Sequence, residues 1–307
     1  MEFVVGAPFG EEAKIDLQPV PEDWTTALAV IAHPDDMEYG AAAAVARWTV
    51  MGKRVVYALV TDGEAGIATM SPAEVGPLRR AEQIAACQEV GVDSVEFLGL
   101  ADGLVTEGLA LRERLCAVIR QHRPDVVLSI NFRDSWGGPS WNHADHRAVG
   151  RALFDAVRDS GNPWVFPDAG TPWPHVRFVA FSGSPQATHA VDVTASFNAG
   201  VRSLASHTVY LANLGREMGS PDMFLRGAAK AGGIRLGGPS RCYVRADHVR
   251  PQAAVCAPFG VGRCATEAGA RFSPDLRERV ANETSRSRFS SGRDRRSKSA
   301  ASVEAVH

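Results

Sequence analysis

The sequence predicts an α/β fold built on a doubly wound, mainly parallel sheet with helices on both faces. Short apolar runs that suit buried strands alternate with longer segments whose apolar residues recur at helical spacing. This alternation is typical of parallel strands joined by crossover helices. The chain has 307 residues, of which 45% are hydrophobic and 22% charged, so it can bury the core of one large domain.

Four strand–helix pairs are predicted in the first half of the chain. Each apolar run is followed by a turn and then by a helical pattern. The predicted strands cover residues 28–31, 55–61, 94–98 and 126–130, and the predicted helices cover residues 37–51, 77–89, 109–121 and 143–157.

The pattern is weaker in the second half of the chain. Strands are predicted at residues 176–181, 190–193 and 242–245, and a helix at residues 195–214. The last part of the chain is rich in Ser and Arg and poor in apolar residues, which is typical of a solvated, disordered tail. We therefore predict a single domain over residues 1–281 that begins with an arm over residues 1–24, followed by a tail over residues 282–307.

A histidine and two aspartates follow the first predicted strand. Pro34 disfavours helical structure at the residue before it, so this cluster is predicted at the turn between the strand and its helix. In open α/β sheets, ligands bind at this end of the strands. Zinc accepts imidazole nitrogen and carboxylate oxygen, so His33 and Asp36 can begin a metal site and leave Asp35 free to handle a proton.

A second cluster, NHADH at residues 142–146, follows the fourth predicted strand. Its two histidines are three residues apart and therefore share one face of a helix. Together His33, Asp36 and His146 give three protein ligands and leave one position open, as catalytic zinc sites do. Two imidazoles favour Zn2+ over magnesium, and Fe2+ or Co2+ could occupy the same site. For the first cluster alone, a polar turn with an aspartate N-cap is the competing interpretation.

Three residues beside these ligands are candidate catalytic groups. Asp35 can accept the proton of a water molecule that zinc has acidified. His143, if it is protonated, can stabilise an oxyanion or donate to a leaving amine, and Asp145 could keep it charged by pairing with it. The alternative for His143 is a helix-start histidine without a catalytic role.

Taken together, HPDD-x-E at residues 33–38 and H-x-D-H at residues 143–146 resemble the LmbE-like, or PIG-L, family of zinc-dependent N-deacetylases. The resemblance extends over residues 28–213. It implies a Rossmann-like fold and an enzyme that removes acetyl groups from N-acetylglucosamine units of larger molecules. It also implies that Asp35 is the general base.

Substrate-binding residues are implied by the same resemblance. Arg79, Asp102 and His207 match family positions near the sugar, although HTVY at residues 207–210 replaces the usual H-x-S-Q. Arg79 and Asp102 could equally form surface ion pairs. Trp141, in the loop before the second cluster, could stack on a sugar face or pack within its own loop.

Composition limits the other classes of function. A formal net charge of −2 gives no overall attraction to nucleic acid or to an anionic membrane. No apolar stretch nears the roughly 18 residues of a membrane span, and the N-terminus lacks the basic region of a signal peptide, so a cytoplasmic protein is expected. The five cysteines are expected to be free thiols, with Cys242, Cys256 and Cys264 as candidates for an adventitious disulfide or metal.

The sequence therefore predicts a zinc-dependent hydrolase that removes an N-acetyl or other N-acyl group from a glucosamine-type sugar in a larger metabolite. One alternative is an amidase that acts on a thiol-conjugate or an acyl side chain. Another is a metal-free sugar-binding protein, which would need neither Asp35 nor His143. The expected partner is this small-molecule substrate, with no nucleic-acid or membrane partner, and a homo-oligomer is left open.

Overall fold

The computed structural model of the protein describes residues 17–214, 220–235 and 243–249. Its strands are β1 (Gln18–Pro19), β2 (Thr26–Ile31), β3 (Arg54–Thr61), β4 (Ser94–Leu100), β5 (Val126–Ile130), β6 (Ser135–Gly137), β7 (Ser140–Trp141), β8 (Phe178–Ser182), β9 (His189–Asp192) and β10 (Tyr243–Val249). Its α-helices are α1 (Asp36–Gly40), α2 (Ala42–Val50), α3 (Pro72–Glu89), α4 (Leu109–His122), α5 (Ala144–Ser160), α6 (Phe197–Ala205), α7 (Thr208–Asn213) and α8 (Pro221–Arg235).

Eight of these strands form one sheet in the order β1-β9-β10-β8-β5-β2-β3-β4, and β6 pairs with β7 separately. The strands from β8 to β4 are parallel, whereas β10 lies antiparallel between β8 and β9. The chain winds outward from β2 to β4 and then returns to place β5 on the other side of β2. The predicted α/β class and mainly parallel sheet are therefore confirmed.

The neighbouring strands β2 and β5 form the switch point of this winding. They pair in parallel, with Ala29 opposite Leu128. The loops that leave the two strands diverge because the chain winds in opposite directions from them, and a crevice opens at their carboxyl ends. The first polar cluster follows β2 directly, and the second follows β5 after the short strands β6 and β7, so the topology brings both to one crevice.

Apolar side chains of β2 alternate between two cores, one on each face of the sheet. Ala29 and Ile31 belong to a core that includes Trp48 of α2. Leu28 and Val30 belong to the opposite core, which includes residues of α4 and α5. A central strand buried on both faces explains the continuous apolar run that predicted it.

Two predicted helices are broken in the structure. The helix expected over residues 37–51 is divided into α1 and α2 at Ala41, whose backbone is not helical. At this break Gly40 lies so close to the sheet that a β-carbon would collide with Ser182 Oγ. The helix expected over residues 195–214 is divided into α6 and α7, and His207, at the division, has its side chain fully buried.

Helix α3 begins five residues earlier than predicted. Ser71 and Glu74 form a capping box at its start, in which the Ser71 N–H and hydroxyl both donate to the Glu74 carboxylate. Pro72 occupies the first turn, where no backbone hydrogen bond is lost. Helix α8 was not predicted.

Two of the five cysteines and a short part of the predicted N-terminal arm lie within the described residues. Cys87 and Cys116 are buried free thiols, as expected, whereas Cys242, Cys256 and Cys264 lie outside the described residues. The domain boundary at residue 281, the tail and most of the N-terminal arm also lie outside them and stay predictions. No helix within the described ranges combines the length and apolarity needed to cross a bilayer.

Asp125 connects the start of β5 to the start of β2 by hydrogen bonds. Its Oδ2 accepts hydrogen bonds from the Thr25 N–H, the Thr25 hydroxyl and the Thr26 N–H, at 2.8, 2.7 and 2.9 Å. Although partial burial opposes ionisation, these donors hold the pKa of Asp125 below its usual range. The bonds fix the alignment of the two strands that carry the crevice.

We expect Asp125→Ala to lower the free energy of unfolding by about 1–3 kcal/mol, because two backbone N–H groups lose a charged acceptor. Chemical denaturation measures the loss. Asp93→Ala, at an exposed position one residue before β4, is the matched control and should change stability by less than about 0.5 kcal/mol. Equal stabilities of the two variants would contradict the assigned role of Asp125.

Candidate metal centre and active site

The first polar cluster is a tight turn between β2 and α1. Asp36 begins α1, and its Oδ2 accepts hydrogen bonds from the N–H groups of Ala32 at 3.0 Å and His33 at 2.8 Å. These bonds fix the carboxylate against the backbone of its own turn. Its other oxygen, Oδ1, lies 3.0 Å from His146 Nε2 on the second cluster.

Three donor atoms from the two clusters meet in the crevice. His33 Nδ1 lies 3.0 Å from His146 Nε2 and 3.7 Å from the nearer oxygen of Asp36. All three side chains are largely or fully buried. The structure therefore brings together the three residues that the sequence predicts as metal ligands.

Asn142 determines which nitrogen of His146 carries a proton. Its amide nitrogen donates to the carbonyl oxygens of Asn131 and Arg133, at 2.6 and 2.9 Å. Its oxygen must therefore be the acceptor at 2.8 Å from the His143 N–H and at 2.9 Å from His146 Nδ1. His146 thus carries a proton on Nδ1, and in its neutral form Nε2 presents a lone pair to the donor group.

His33 is oriented in the same way by two carboxylates. Its Nε2 lies 3.0 Å from Asp102 Oδ1 and 3.2 Å from Asp145 Oδ2, so this nitrogen carries a proton. In a neutral imidazole the other nitrogen, Nδ1, is then an acceptor that faces His146 and Asp36. Carboxylate or amide partners of this kind are typical behind metal-ligating histidines.

The donor group has ligand atoms and charges that suit a metal ion. Two imidazole lone pairs and a carboxylate oxygen face one another at close range, and such a group is stable only with a positive charge between its members. Burial lowers the pKa of His33, but Asp36, Asp102 and Asp145 outweigh it and raise the pKa well above its usual value. The site therefore favours a cation, either a proton or a metal ion that displaces it. Two imidazole nitrogens and one carboxylate suit Zn2+, Fe2+ or Co2+.

Asp35 lies beside this donor group and is buried. Its backbone is left-handed, with φ 87°, and its Oδ2 accepts a hydrogen bond from Arg79 Nη2 at 3.0 Å. Burial raises the pKa of Asp35 to about 6, although the Arg79 guanidinium opposes the shift. A carboxylate with a pKa near the working pH has the chemistry of a general base.

His143 lies at the mouth of the crevice with its side chain exposed. Its ring stands edge-on to His33, with 4.8 Å between centroids, and its Nδ1 accepts a hydrogen bond from the Asp145 N–H at 3.2 Å. This is an N-cap of α5. Burial of part of the ring and the nearby His33 and His146 lower the pKa of His143. The geometry therefore describes a neutral His143 with its proton on Nε2, where the sequence predicts an imidazolium.

Asp145 has a different partner from the one predicted. The sequence predicts that its carboxylate pairs with His143. In the structure the carboxylate binds His33 and the N–H groups of Gly103 and Val105, the latter two at 2.7 and 3.2 Å. Successive residues of a helix point about 100° apart, so the side chain of Asp145 faces the loop after β4. Its contact with His143 is through the backbone N–H alone.

Two of the four residues predicted to bind substrate lie behind the site. Arg79 is 2% exposed and donates to the Pro34 carbonyl oxygen as well as to Asp35. His207 is fully buried, with Nδ1 3.3 Å from Arg79 Nη1, and burial lowers its pKa to about 3. In this arrangement Arg79 and His207 support Asp35, and contact with a substrate would require them to become exposed.

The other two differ in exposure. Asp102 pairs with His33 and also accepts a hydrogen bond from the Ala65 N–H at 2.9 Å, so its carboxylate is already engaged. Trp141 is 80% exposed and belongs to the small β6–β7 sheet, two residues before His143. Its contact with a sugar stays a prediction.

Sequence reasoning missed several residues that complete the site. Asn142 was part of the NHADH motif, but without a role. Gln83 accepts a hydrogen bond from the Asp35 N–H, and Tyr210 stacks on the Arg79 guanidinium at 3.7 Å from the ring centroid. Gln83 lies four residues after Arg79 on α3, and this helical spacing is the signal that could have identified it.

Several known proteins are similar to this chain in sequence. Residues 28–157 match the family model described as PIG-L: GlcNAc-PI de-N-acetylase. Diacetylchitobiose deacetylase of Thermococcus kodakarensis is 26% identical over 67% of this chain and 73% of its own length. The 1D-myo-inositol 2-acetamido-2-deoxy-alpha-D-glucopyranoside deacetylase of Streptomyces avermitilis is 31% identical over 48% of this chain, which spans only 57% of the length of that relative.

Solved structures show the same fold. N,N'-diacetylchitobiose deacetylase from Pyrococcus horikoshii has a TM-score of 0.67 at 23% identity and covers 78% of this chain and 88% of its own. The 4-carboxy-2-hydroxymuconate hydratase GalB of Pseudomonas putida KT2440 has a TM-score of 0.59 at 19% identity, covering 78% and 100%. Since one neighbour is named a deacetylase and the other a hydratase, the fold alone does not determine the reaction.

We expect purified protein to bind about one transition-metal ion per chain, and His33→Ala and His146→Ala each to remove most of it, because two ligands hold the ion much more weakly than three. Elemental analysis after dialysis against metal-free buffer gives the stoichiometry. His175→Ala, at an exposed position, is the control and should keep the ion. Full metal content in both site variants would refute the ligand assignment.

Proposed function

We propose that this chain, whose residues 28–157 match the PIG-L family model, is a metal-dependent hydrolase that removes the acetyl group from an N-acetylglucosamine-type sugar. The observation that carries the proposal is the buried group of His33, Asp36 and His146 at the switch point, with Asp35 beside it. Relatives named as deacetylases of diacetylchitobiose and of an inositol-linked acetamido sugar support this substrate class.

Zinc is the metal that we infer, since two of the three donors are imidazoles, and Fe2+ or Co2+ fits the same donors. Such an ion, when bound, supplies Lewis-acid chemistry that polarises an amide carbonyl and makes water a stronger acid. A sugar-binding protein would not need a buried donor group of this kind. The proposal includes the sequence-based expectations of a cytoplasmic location and of a small-molecule partner.

Asp35 is proposed as the base that takes the proton of the attacking water. The water oxygen forms the new bond to the acyl carbon, and the carbon–nitrogen bond of the amide breaks. The departing nitrogen needs a proton, which the protonated Asp35 can return to it. A pKa of about 6 suits both directions of this transfer near neutral pH.

His143 is proposed as a hydrogen-bond donor to the carbonyl oxygen. With Nδ1 engaged as the N-cap of α5, the proton of the neutral ring lies on Nε2. The ring is exposed at the mouth of the crevice, so a substrate can reach it. A donor that is fixed before the reaction stabilises the charge that develops on the oxygen.

A panel of N-acylated amines tests the proposal. It should contain N-acetylglucosamine, diacetylchitobiose and an N-acetylglucosaminyl inositol, together with acylated thiol conjugates and a simple acyl amide. We expect amine and acetate to be released in equal amounts from one or more of the sugars. Release from the thiol conjugates alone would favour the amidase alternative, and binding without release would favour a sugar-binding protein.

We expect Asp35→Asn to keep its metal and to lower kcat by about a hundred- to ten-thousand-fold, because the amide cannot accept a proton. Asparagine tolerates the left-handed backbone of this position, so the turn should be preserved. Steady-state kinetics and metal analysis give the two readouts. Asp168→Asn, at an exposed position, is the control. Turnover near the wild-type value in Asp35→Asn would place the base at another residue.

The two roles of His143 can be separated by a pair of variants. His143→Asn retains a good N-cap for α5, whereas His143→Ala does not. If the Nε2 proton acts in the reaction, both variants should lose about a hundredfold or more in kcat, and only His143→Ala should also lose stability. An asparagine variant with wild-type kcat would show that His143 is a helix cap alone.

A further inference from the structure

The backbone of Asp35 is held in an unfavourable conformation. Its φ of 87° and ψ of −18° lie in the left-handed region, which brings the β-carbon of an L-residue close to its own backbone. Such a residue keeps this conformation only if surrounding contacts hold it there. The direction of the Asp35 side chain depends on this backbone, so those contacts also aim the proposed base.

Hydrogen bonds hold the backbone of Asp35 on both sides of its α-carbon. The Asp35 carbonyl oxygen accepts a hydrogen bond from the Tyr39 N–H at 2.9 Å, within the first turn of α1. The Asp35 N–H donates to Gln83 Oε1 at 3.0 Å. Gln83 is completely buried, so water cannot replace it as an acceptor.

The side-chain amide of Gln83 has only one orientation that satisfies its neighbours. Its Nε2 donates to Glu38 Oε1 at 3.1 Å and approaches Cys87 Sγ at 3.4 Å. Ser203 Oγ lies 3.3 Å from the same Glu38 oxygen. Because the backbone N–H of Asp35 can only donate, the amide oxygen must face Asp35, and the amide nitrogen then faces Glu38.

Arg79 and Gln83 act on Asp35 from one face of α3. They are four residues apart, so their side chains emerge one above the other. Arg79 binds the carboxylate of Asp35, and Gln83 binds its peptide. Together they hold both the side chain and the backbone of the same residue.

We propose that Gln83 is a positioning residue for the reaction: it holds the left-handed peptide of Asp35 and thereby aims the Asp35 carboxylate. This inference rests on the proposed function, in which Asp35 is the base. Gln83 touches neither the donor group nor the mouth of the crevice through the contacts described above. Its effect on the reaction therefore passes through Asp35.

The test compares Gln83→Met with Gln88→Met, which makes the same change at an exposed position of α3. Methionine nearly fills the space of glutamine and cannot accept the Asp35 N–H. We expect Gln83→Met to lower kcat by about tenfold or more, with KM changed by less than about twofold and metal content unchanged, since a small misplacement of a catalytic group has effects of this size. If Gln83→Met does not fold, Gln83→Asn replaces it in the test. Its side chain is one methylene too short to reach the Asp35 N–H, so we expect the same changes in kcat, KM and metal content.

A double-mutant cycle with Asp35→Asn separates positioning from a general structural effect. If Gln83 acts through Asp35, Gln83→Met should change the residual kcat of Asp35→Asn by less than about twofold. An equal loss in both backgrounds would overturn the inference, and so would a Gln83→Met enzyme with wild-type kcat.

Hydrogen exchange of the Asp35 amide gives a readout that needs no substrate. We expect exchange to be faster in Gln83→Met than in Gln88→Met, because the buried N–H has lost its acceptor. Unchanged exchange would overturn the inference whether or not a substrate is known. If the wild-type protein releases no amine from any compound, the proposed function fails instead, and the exchange rates still decide whether Gln83 holds the peptide.

Discussion

Two imidazole lone pairs and a carboxylate that face one another need a positive charge between them, and the site is arranged around this requirement. Asn142 and the pair of Asp102 and Asp145 fix the protons of the two histidines on the side away from the charge. Backbone N–H groups hold Asp36 from behind. These groups come from the loops after β2, β4 and β5, so the site forms only when the parallel part of the sheet has its correct strand order.

The sequence was sufficient to predict the class of the fold and that His33, Asp36 and His146 lie close together. Continuous apolar runs mark strands such as β5 because both faces of the strand are buried. The His33 and His146 clusters could be placed at one sheet edge because the segments that follow parallel strands begin at the same carboxyl-terminal edge. Neither inference depends on the details of side-chain packing.

The features that the sequence did not predict depend on contacts between distant segments. At the break before α2, Gly40 lies against Ser182, more than a hundred residues away in the chain. The sequence predicts Arg79 as a sugar ligand or a surface residue, whereas in the structure it is buried and binds the Asp35 carboxylate. Local patterns contain no information on which of two histidines an aspartate will face, and so the sequence paired Asp145 with His143, whereas its carboxylate faces His33.

Strand β10 links the two parts of the sheet, and this has a consequence for folding during synthesis. The strands that carry the site, from β2 to β8, are complete by Ser182, but the strand between β8 and β9 is not made until Val249. A growing chain on the ribosome therefore exposes the open edge of β8 for more than sixty residues of elongation, and open edges recruit other strands. β10, the last strand among the described residues, thus also protects the nascent chain against aggregation.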